Sequence, residues 1–322
     1  MNMGLTMNPD APPEKLLNAV QLAENLGFNY CYIGDQGFSR DVYITLSILA
    51  SSTKRIQMGP GVTHPYTRHP VVAAAAIASL DELSAGRAFL GVGAGGSRAL
   101  GPIHVEQANP LRACREEVEI ARLLWSGQLV NYHGEFFTLT NARLDIPCRS
   151  DIEVHWAARG SKMLALGGEI ADVVMLHGIP RFALGDVVDG VKKAALKAGR
   201  KIRVYYAVRV LYDEASRESA RARTAFQLID SAEPIKTKLG VTPELAAELR
   251  RLVTTEGPRA AAHLVSNEML GHYVLDQEPE TCASILRELV KRNGLDGLTV
   301  EVSDPLEAET LLPYAAGIIS RL

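Results

Sequence analysis

The chain has 322 residues, 47% of them apolar and 22% charged, ordinary values for a globular protein with a large core. That length allows two domains or one large α/β barrel. Lys and Arg total 34 against 37 Asp and Glu, a net charge of -3, so nothing in the balance points to nucleic acid or an anionic membrane surface.

In chain order, short strand-like runs alternate with amphipathic helices. Residues 3–7 read as a strand and 13–26 as a helix, where Leu16, Leu17, Val20, Ala23 and Leu26 form an apolar stripe at helical period. Gly27 stands where a helix C-terminus favours φ > 0. A strand at 30–33 ends in Gly34-Asp35-Gln36, and a helix at 41–52 follows. A third strand, 56–62, leads to a helix at 70–83 with Pro70 near its first position. A fourth, 88–92, ends in Gly93-Ala94-Gly95-Gly96. After a helix at 111–124 the rhythm breaks, and residues 129–139 alternate like a hairpin with His133-Gly134 as its turn. It resumes with strand 153–157, helix 161–170, strand 173–176, a helix to 198 and strand 203–211. Residues 214–263 read as solvated helices, with eight Lys/Arg and seven Asp/Glu evenly mixed. A helix at 280–292, a strand at 298–302 and a helix at 306–319 follow.

Eight strands, each followed by helical material, predict an α/β fold: a (β/α)8 TIM barrel forming a single domain over 1–322, with a helical insertion at about 214–275. An open doubly wound sheet is the rival, and its usual five or six strands fit the count less well. In a barrel, function belongs to the loops at the C-terminal ends of the strands.

Four strand ends stand out. Gly91-x-Gly93-x-x-Gly96 matches the dinucleotide fingerprint in form, but Gly101, Pro102 and Pro110 prevent a long helix directly after it, and no acid closes a second strand about 20 residues on. It reads better as a strand end stripped of side chains, against which a flat ring can lie on backbone. The segment from Gly59 to Pro70 carries His64 and His69 five apart on an extended chain, which is not metal-ligand spacing, and His69-Pro70 reads as a helix start. Ala157-Ala158-Arg159-Gly160-Ser161 follows a strand and opens a helix, a plausible anion cradle in which Ser161 would equally serve as an N-cap. Asp35-Gln36 offers an acceptor for a cofactor hydroxyl or ring N–H and an amide for substrate, or else a capping acid for the next helix. His177-Gly178 ends another strand and would line the same mouth, whereas Trp125 and Trp156 read as packing.

The four cysteines, Cys31, Cys114, Cys148 and Cys282, include no C-x-x-C pair, which argues against a disulfide framework or a zinc site. The first basic residue is Lys15, so no basic-then-apolar leader is expected. The longest uncharged apolar runs fall short of the roughly 20 residues that span a bilayer. A soluble cytoplasmic protein with no membrane or nucleic-acid partner is the expectation.

Three segments together, Gly61-Val62-Thr63-His64-Pro65-Tyr66-Thr67-Arg68-His69-Pro70, Ala78-Ser79-Leu80-Asp81-Glu82-Leu83-Ser84-Ala85-Gly86-Arg87 and Leu90-Gly91-Val92-Gly93-Ala94-Gly95, resemble the bacterial-luciferase-like superfamily. Within it the chain is most similar to the methylenetetrahydromethanopterin reductases that use the deazaflavin F420, a likeness shared by residues 157–167 and Glu169-Ile170-Ala171-Asp172. The resemblance implies a (β/α)8 barrel that binds F420 or FMN at its C-terminal mouth, and commonly a homodimer. It implies a non-prolyl cis peptide at Gly61-Val62 supporting the ring, and contact of Asp35 with the cofactor. Val62, Thr63 and the backbone of Gly93, Ala94 and Gly95 would lie along the ring. Ala157, Ala158, Arg159, Gly160 and Ser161 would hold its linker or phosphate, while Gln36 and His64 face a small-molecule substrate. The activity expected is hydride transfer between F420 and an organic substrate. An FMN-dependent monooxygenase and a folate reductase taking hydride from NADH are the alternatives, with a non-enzymatic cofactor carrier as a reading of another class. The sequence departs from the family at three places: Gln36 replaces a common His, Thr6 stands where the reductases carry an acid, and Gly96 where they tend to have Asp. Neither Gln36 nor Thr6 titrates near neutral pH.

Overall fold

Short strands rich in β-branched and aromatic residues, each followed by a helix, bury both faces only when the helices cover one and the strands close on the other. The computed structural model describes residues 1–322, and the side chains of all but Ser97 and Arg98. Its strands are β1 (Asn2–Met7), β2 (Tyr30–Ile33), β3 (Gln57–Pro60), β4 (Phe89–Gly93), β5 (Val130–His133), β6 (Thr138–Ala142), β7 (Glu153–Ala157), β8 (Val173–Leu176), β9 (Arg203–Val208) and β10 (Gly297–Val302). Eight of them form one parallel sheet in the order β3-β2-β1-β10-β9-β8-β7-β4, and β5 and β6 pair as an antiparallel hairpin outside it. Parallel bridges Met58–Ala88 and Thr63–Val92 join the two ends, so the sheet is a closed (β/α)8 barrel.

Alternation along each strand sorts the side chains. Leu5, Ile33, Leu90, Trp156, Val174 and Val300 face outward into the core under the helices. Tyr30, Tyr32, Phe89, Val173, Met175 and Tyr205 face inward and fill the barrel. His155 lies flat on Phe89, with ring centroids 4.0 Å apart, and its Nδ1 meets the Tyr32 hydroxyl at 2.9 Å. Below it, Glu153 binds His155 Nε2 at 3.1 Å and Arg203 at 2.6 Å. Burial would raise the Glu153 carboxyl, but those two partners outweigh it and hold it down to about 2. The middle of the barrel is therefore solid, and any ligand sits above it.

Three boundaries differ from the pattern in the sequence. The third strand ends at Pro60 rather than 62: the Gly61–Val62 peptide is cis, and the chain then bonds to β4 through Thr63 N to Gly91 O (2.9 Å) and Gly93 N to Thr63 O (3.0 Å). The strand from 203 ends at Val208 rather than 211, because Arg209 and Leu211 turn to pair with Leu275 instead of β10. That pairing ties together the two ends of the helical segment 214–275. The hairpin turn spans Gly134 to Phe137 rather than His133-Gly134. The buried Glu116 carboxylate fixes it by accepting from the N–H groups of Glu135, Phe136 and Phe137 at 2.6, 3.0 and 3.0 Å.

The seam between β3 and β4 works only with glycine. A Cβ on Gly59 would run into the carbonyl oxygen of Phe89, and one on Gly91 into that of Pro60. Gly91→Ala should therefore lower stability by about 1–3 kcal/mol through overpacking. A denaturant midpoint equal to that of the wild type would show that the seam has room.

Candidate active site

The inward-facing residues at the C-terminal strand ends divide the mouth into two unlike halves. On the side of β2, β3 and β4 these positions carry Gly34, Gly61 and Gly93, with Gly95 just beyond, so backbone is exposed there instead of side chains. Asp35 is the acid that β2 delivers to this half, and Thr63 Oγ1 donates to its Oδ2 at 2.9 Å. Gln107, on the segment that folds back over β4, donates to the carbonyls of Ala94 and Gly95 and pins that loop. Gln36 lies beside Asp35, and its Nε2 donates to Asn8 Oδ1 at 3.3 Å. The structure thus brings Asp35, Gln36, Gly61, Val62, Thr63, Gly93, Ala94 and Gly95 to one end of the barrel.

His64 is placed differently from expectation. It is only 3% exposed, packed so closely beneath Gly95 that a Cβ there would stand 3.2 Å from its ring, and its Nδ1 has no partner among the described residues. Burial holds its pKa below the ordinary value, against an opposing pull from Asp35. His69 caps the following helix, its Nδ1 accepting from Val71 N at 3.2 Å. At the end of β7, Ala158 packs on the main core, and Arg159 pairs with Asp230 at 3.2 Å while burying an unpartnered Nη1. The N-cap of helix Ser161–Ile170 is Gly160; Ser161 is the first helical residue and makes no capping bond.

The other half of the mouth is charged, and most of it went unread in the sequence. The alternation that turns Thr299 and Tyr205 inward also turns Glu301 inward two residues on and Arg209 inward four residues on. Glu301 stands in register with Thr6 of β1 and binds both Arg209 and Arg223, the latter from helix Glu214–Ile229. Burial would raise its carboxyl, but the two arginines outweigh it and hold it down to about 2. His177, two residues past inward-facing Met175, is pushed down to about 4 by burial and by Arg223, Arg209 and Arg159, with Glu301 opposing. A charged residue at an inward strand end was the signal available for Arg209 and Glu301. Arg223 had none, because only the tertiary fold brings its helix over the barrel.

Glu117 also lies near Asp35, on helix Pro110–Trp125. It interrupts the apolar stripe of Ala113, Ala121 and Leu124, is fully buried, and neither oxygen has a partner among the described residues. Burial, reinforced by Asp35, raises its pKa to about 8.

A recess of about 1060 Å³ opens at the opposite, N-terminal end of the strands. Its central charges are paired with one another, Arg200 with Asp172 at 2.7 Å and Arg203 with Glu153 at 2.6 Å, and that face of a barrel serves stability. Among the described residues no group of three or more His, Cys, Asp or Glu could hold a metal ion, and no helix is long and apolar enough to cross a membrane.

A closed parallel barrel with a bare-backbone mouth, an acid at the second strand end and a helical layer after β9 defines the class. The chain matches the model of the luciferase-like monooxygenase family over residues 2–297, and it belongs to that family. The 5,10-methylenetetrahydromethanopterin reductase of Archaeoglobus fulgidus is 32% identical over 301 residues, 90% of each chain. The reductase of the same name from Methanolobus tindarius is 28% identical over 298 residues, 90% of this chain and 91% of its own. The solved structure of the coenzyme F420 dependent tetrahydromethanopterin reductase from Methanopyrus kandleri superposes with a TM-score of 0.87 at 26% identity, covering 98% of this chain and 97% of that one.

Glu117 makes a pH-dependent contribution of definite sign. Its folded pKa of about 8 lies above the ordinary 4.5, so the folded state holds a proton that the unfolded state releases. Stability should fall as pH rises from about 4.5 to about 8, and Glu117→Gln should flatten that decline. Parallel pH–stability curves for the two proteins, from denaturant melts, would show that Glu117 is ionised in the fold.

Proposed function

We propose that this protein transfers a hydride between the deazaflavin F420 and an organic substrate, in the manner of the methylenetetrahydromethanopterin reductases. It is an oxidoreductase; the observation that carries the cofactor is the full-length likeness to F420-dependent enzymes. The residues of the ring half fit such a group. Three strand ends without side chains leave room for a flat tricycle, Val62 is the largest side chain among the residues assigned to the ring, and Asp35 stands at the edge as an acceptor. When bound, the deazaflavin supplies the carbon that carries the hydride.

The chain's own residues would do the rest. Thr63 holds one oxygen of Asp35, fixing the carboxylate so that the other is free for a ring N–H or side-chain hydroxyl. Gly61, Val62 and Gly93 to Gly95 present backbone to the ring, and the loop from Ala157 to Ser161 offers N–H groups to the cofactor's linker or phosphate. Gln36 meets the substrate, and His64, beneath Gly95, supports the loop over the ring from below. We read the whole chain as one luciferase-like barrel with 214–275 inserted, working in the cytoplasm. FMN-dependent oxygen chemistry and hydride transfer from NADH are the competing readings.

Homodimerisation is part of the proposal. Ile44, 66% exposed, and Ile48 lie one turn apart on helix Val42–Ser52, and Val72, 50% exposed, sits on the neighbouring helix Pro70–Leu83. Such an apolar patch on paired helices supports an interface between two copies. Replacing Ile44 and Ile48 together by Lys should leave a folded monomer in sedimentation analysis; a persistent dimer would place the contact elsewhere.

Fluorescence titration tests the cofactor. F420 should bind at sub-millimolar concentration and more tightly than FMN or NADH, and the reverse order would overturn the assignment. Asp35→Asn removes a charge-assisted bond of about 1.5–3 kcal/mol, so F420 affinity should fall by about 10- to 100-fold. An unchanged affinity would remove Asp35 from the cofactor site.

A further inference from the structure

Helix Glu214–Ile229 lies across the charged half of the mouth, and one stripe of it touches three strand ends. Arg223 binds Glu301 at the end of β10. Gln227, one turn on, packs against Gly178 just past β8, where an added Cβ would stand 3.2 Å away, and its Oε1 is buried without a partner. Asp230, at the helix end, binds Arg159 past β7. Positions 223, 227 and 230 share a helix face, so this face roofs the strand ends opposite Asp35 and Gly61.

The side chains beneath that roof carry more guanidinium than carboxylate, Arg209, Arg223 and Arg159 against Glu301 and Asp230. Two arginines share one carboxylate there, and Arg209 and Glu301 are mostly buried, their side chains 13% and 10% exposed. Arg159 adds a third cation against Asp230, with its Nη1 unpartnered. Thr6 Oγ1, opposite Glu301, is likewise buried and unpartnered. His177, facing the same groups, is left neutral and therefore adds an acceptor rather than a charge. The next acids outward, Asp304 and Glu307, follow β10, and of these Glu307 exerts a weaker pull than Glu301 on Arg209. A half-buried surplus of guanidinium, with unpartnered polar atoms beside it, is stabilised by an anion that brings its own acceptors.

We propose that the Arg209–Glu301–Arg223 cluster binds a carboxylate of the substrate, so that the enzyme acts on a carboxylate-bearing organic molecule held between the helix Glu214–Ile229 and the cofactor ring. The assignment rests on the reading of the Asp35 half as the cofactor site. Glu301 spaces the two guanidinium groups, leaving N–H donors of each for the incoming carboxylate. The cofactor's phosphate tail has the same chemistry and is the other source of an anion here, adjoining Arg159.

Succinate serves as the probe, titrated calorimetrically into protein saturated with F420 so that the tail already occupies its own place. Wild type should bind succinate saturably, and Arg223→Met should weaken that binding about tenfold or more while F420 affinity stays within about twofold. Arg223→Lys, which keeps the charge but loses the planar fork, should recover part of the succinate affinity and reports on folding of the variant. Absence of saturable succinate binding to wild type would overturn the proposal. So would an Arg223→Met protein that binds succinate normally, or one that loses F420 instead, since the cluster would then hold the cofactor tail. If wild type binds no F420, it is the cofactor reading that fails. The same succinate titration on the protein alone then decides the anion site by the same Arg223→Met comparison.

Discussion

The close approach of β3 to β4 governs both the fold and the site. Carbonyl oxygens of Pro60 and Phe89 lie where the Cβ atoms of Gly91 and Gly59 would be, so the last seam of the barrel is built from backbone against backbone. The bonds of Thr63 to Gly91 and Gly93 complete it. One layer up, a Cβ on Gly61 would run into Tyr32 and one on Gly93 into Val62, so the same crowding between neighbouring strands holds these positions of the mouth to glycine. The requirement that closes the barrel thus also leaves the flat, bare shelf on which a ring can rest.

Below the shelf, the barrel is packed with Tyr30, Tyr32, Phe89 and Tyr205 around the buried His155. Glu153 and Arg203 satisfy that histidine and one another at the N-terminal end. A floor of this kind keeps water and ligand out of the interior and confines chemistry to the upper layer of inward positions. That layer is asymmetric: backbone and Asp35 on one side, arginines and Glu301 on the other. The acid absent from Thr6 at the end of β1 has a counterpart on the adjacent strand in the same row, but paired with two arginines it stays ionised and cannot donate a proton. Glu117, by contrast, carries its proton near neutral pH and lies on the Asp35 side.

Much of this was legible along the chain, residue by residue. Short apolar runs and stripes at helical period mark all eight barrel strands and most helices, and Gly27 takes the positive φ expected of it. The misplaced boundaries share a cause. The turn after His133 follows from Glu116, nineteen to twenty-one residues away, gathering three backbone N–H groups. The end of β9 follows from pairing with Leu275, and His64 is buried because the β4 loop closes over it. None of these partners is near in sequence, so local pattern could not reveal them.

By itself, the sequence determined the class of fold, the bare strand ends and the position of Asp35, because these depend on residue type and spacing within single βα units. Tertiary structure alone decided which charges meet. Arg223 comes from a helix outside the repeating pattern and reaches Glu301 seventy-eight positions on, and Arg209 joins them only after the barrel has wound round to place β9 beside β10. Ion pairs act through space over a few ångströms, and the distance between two charges is not defined until the chain has folded.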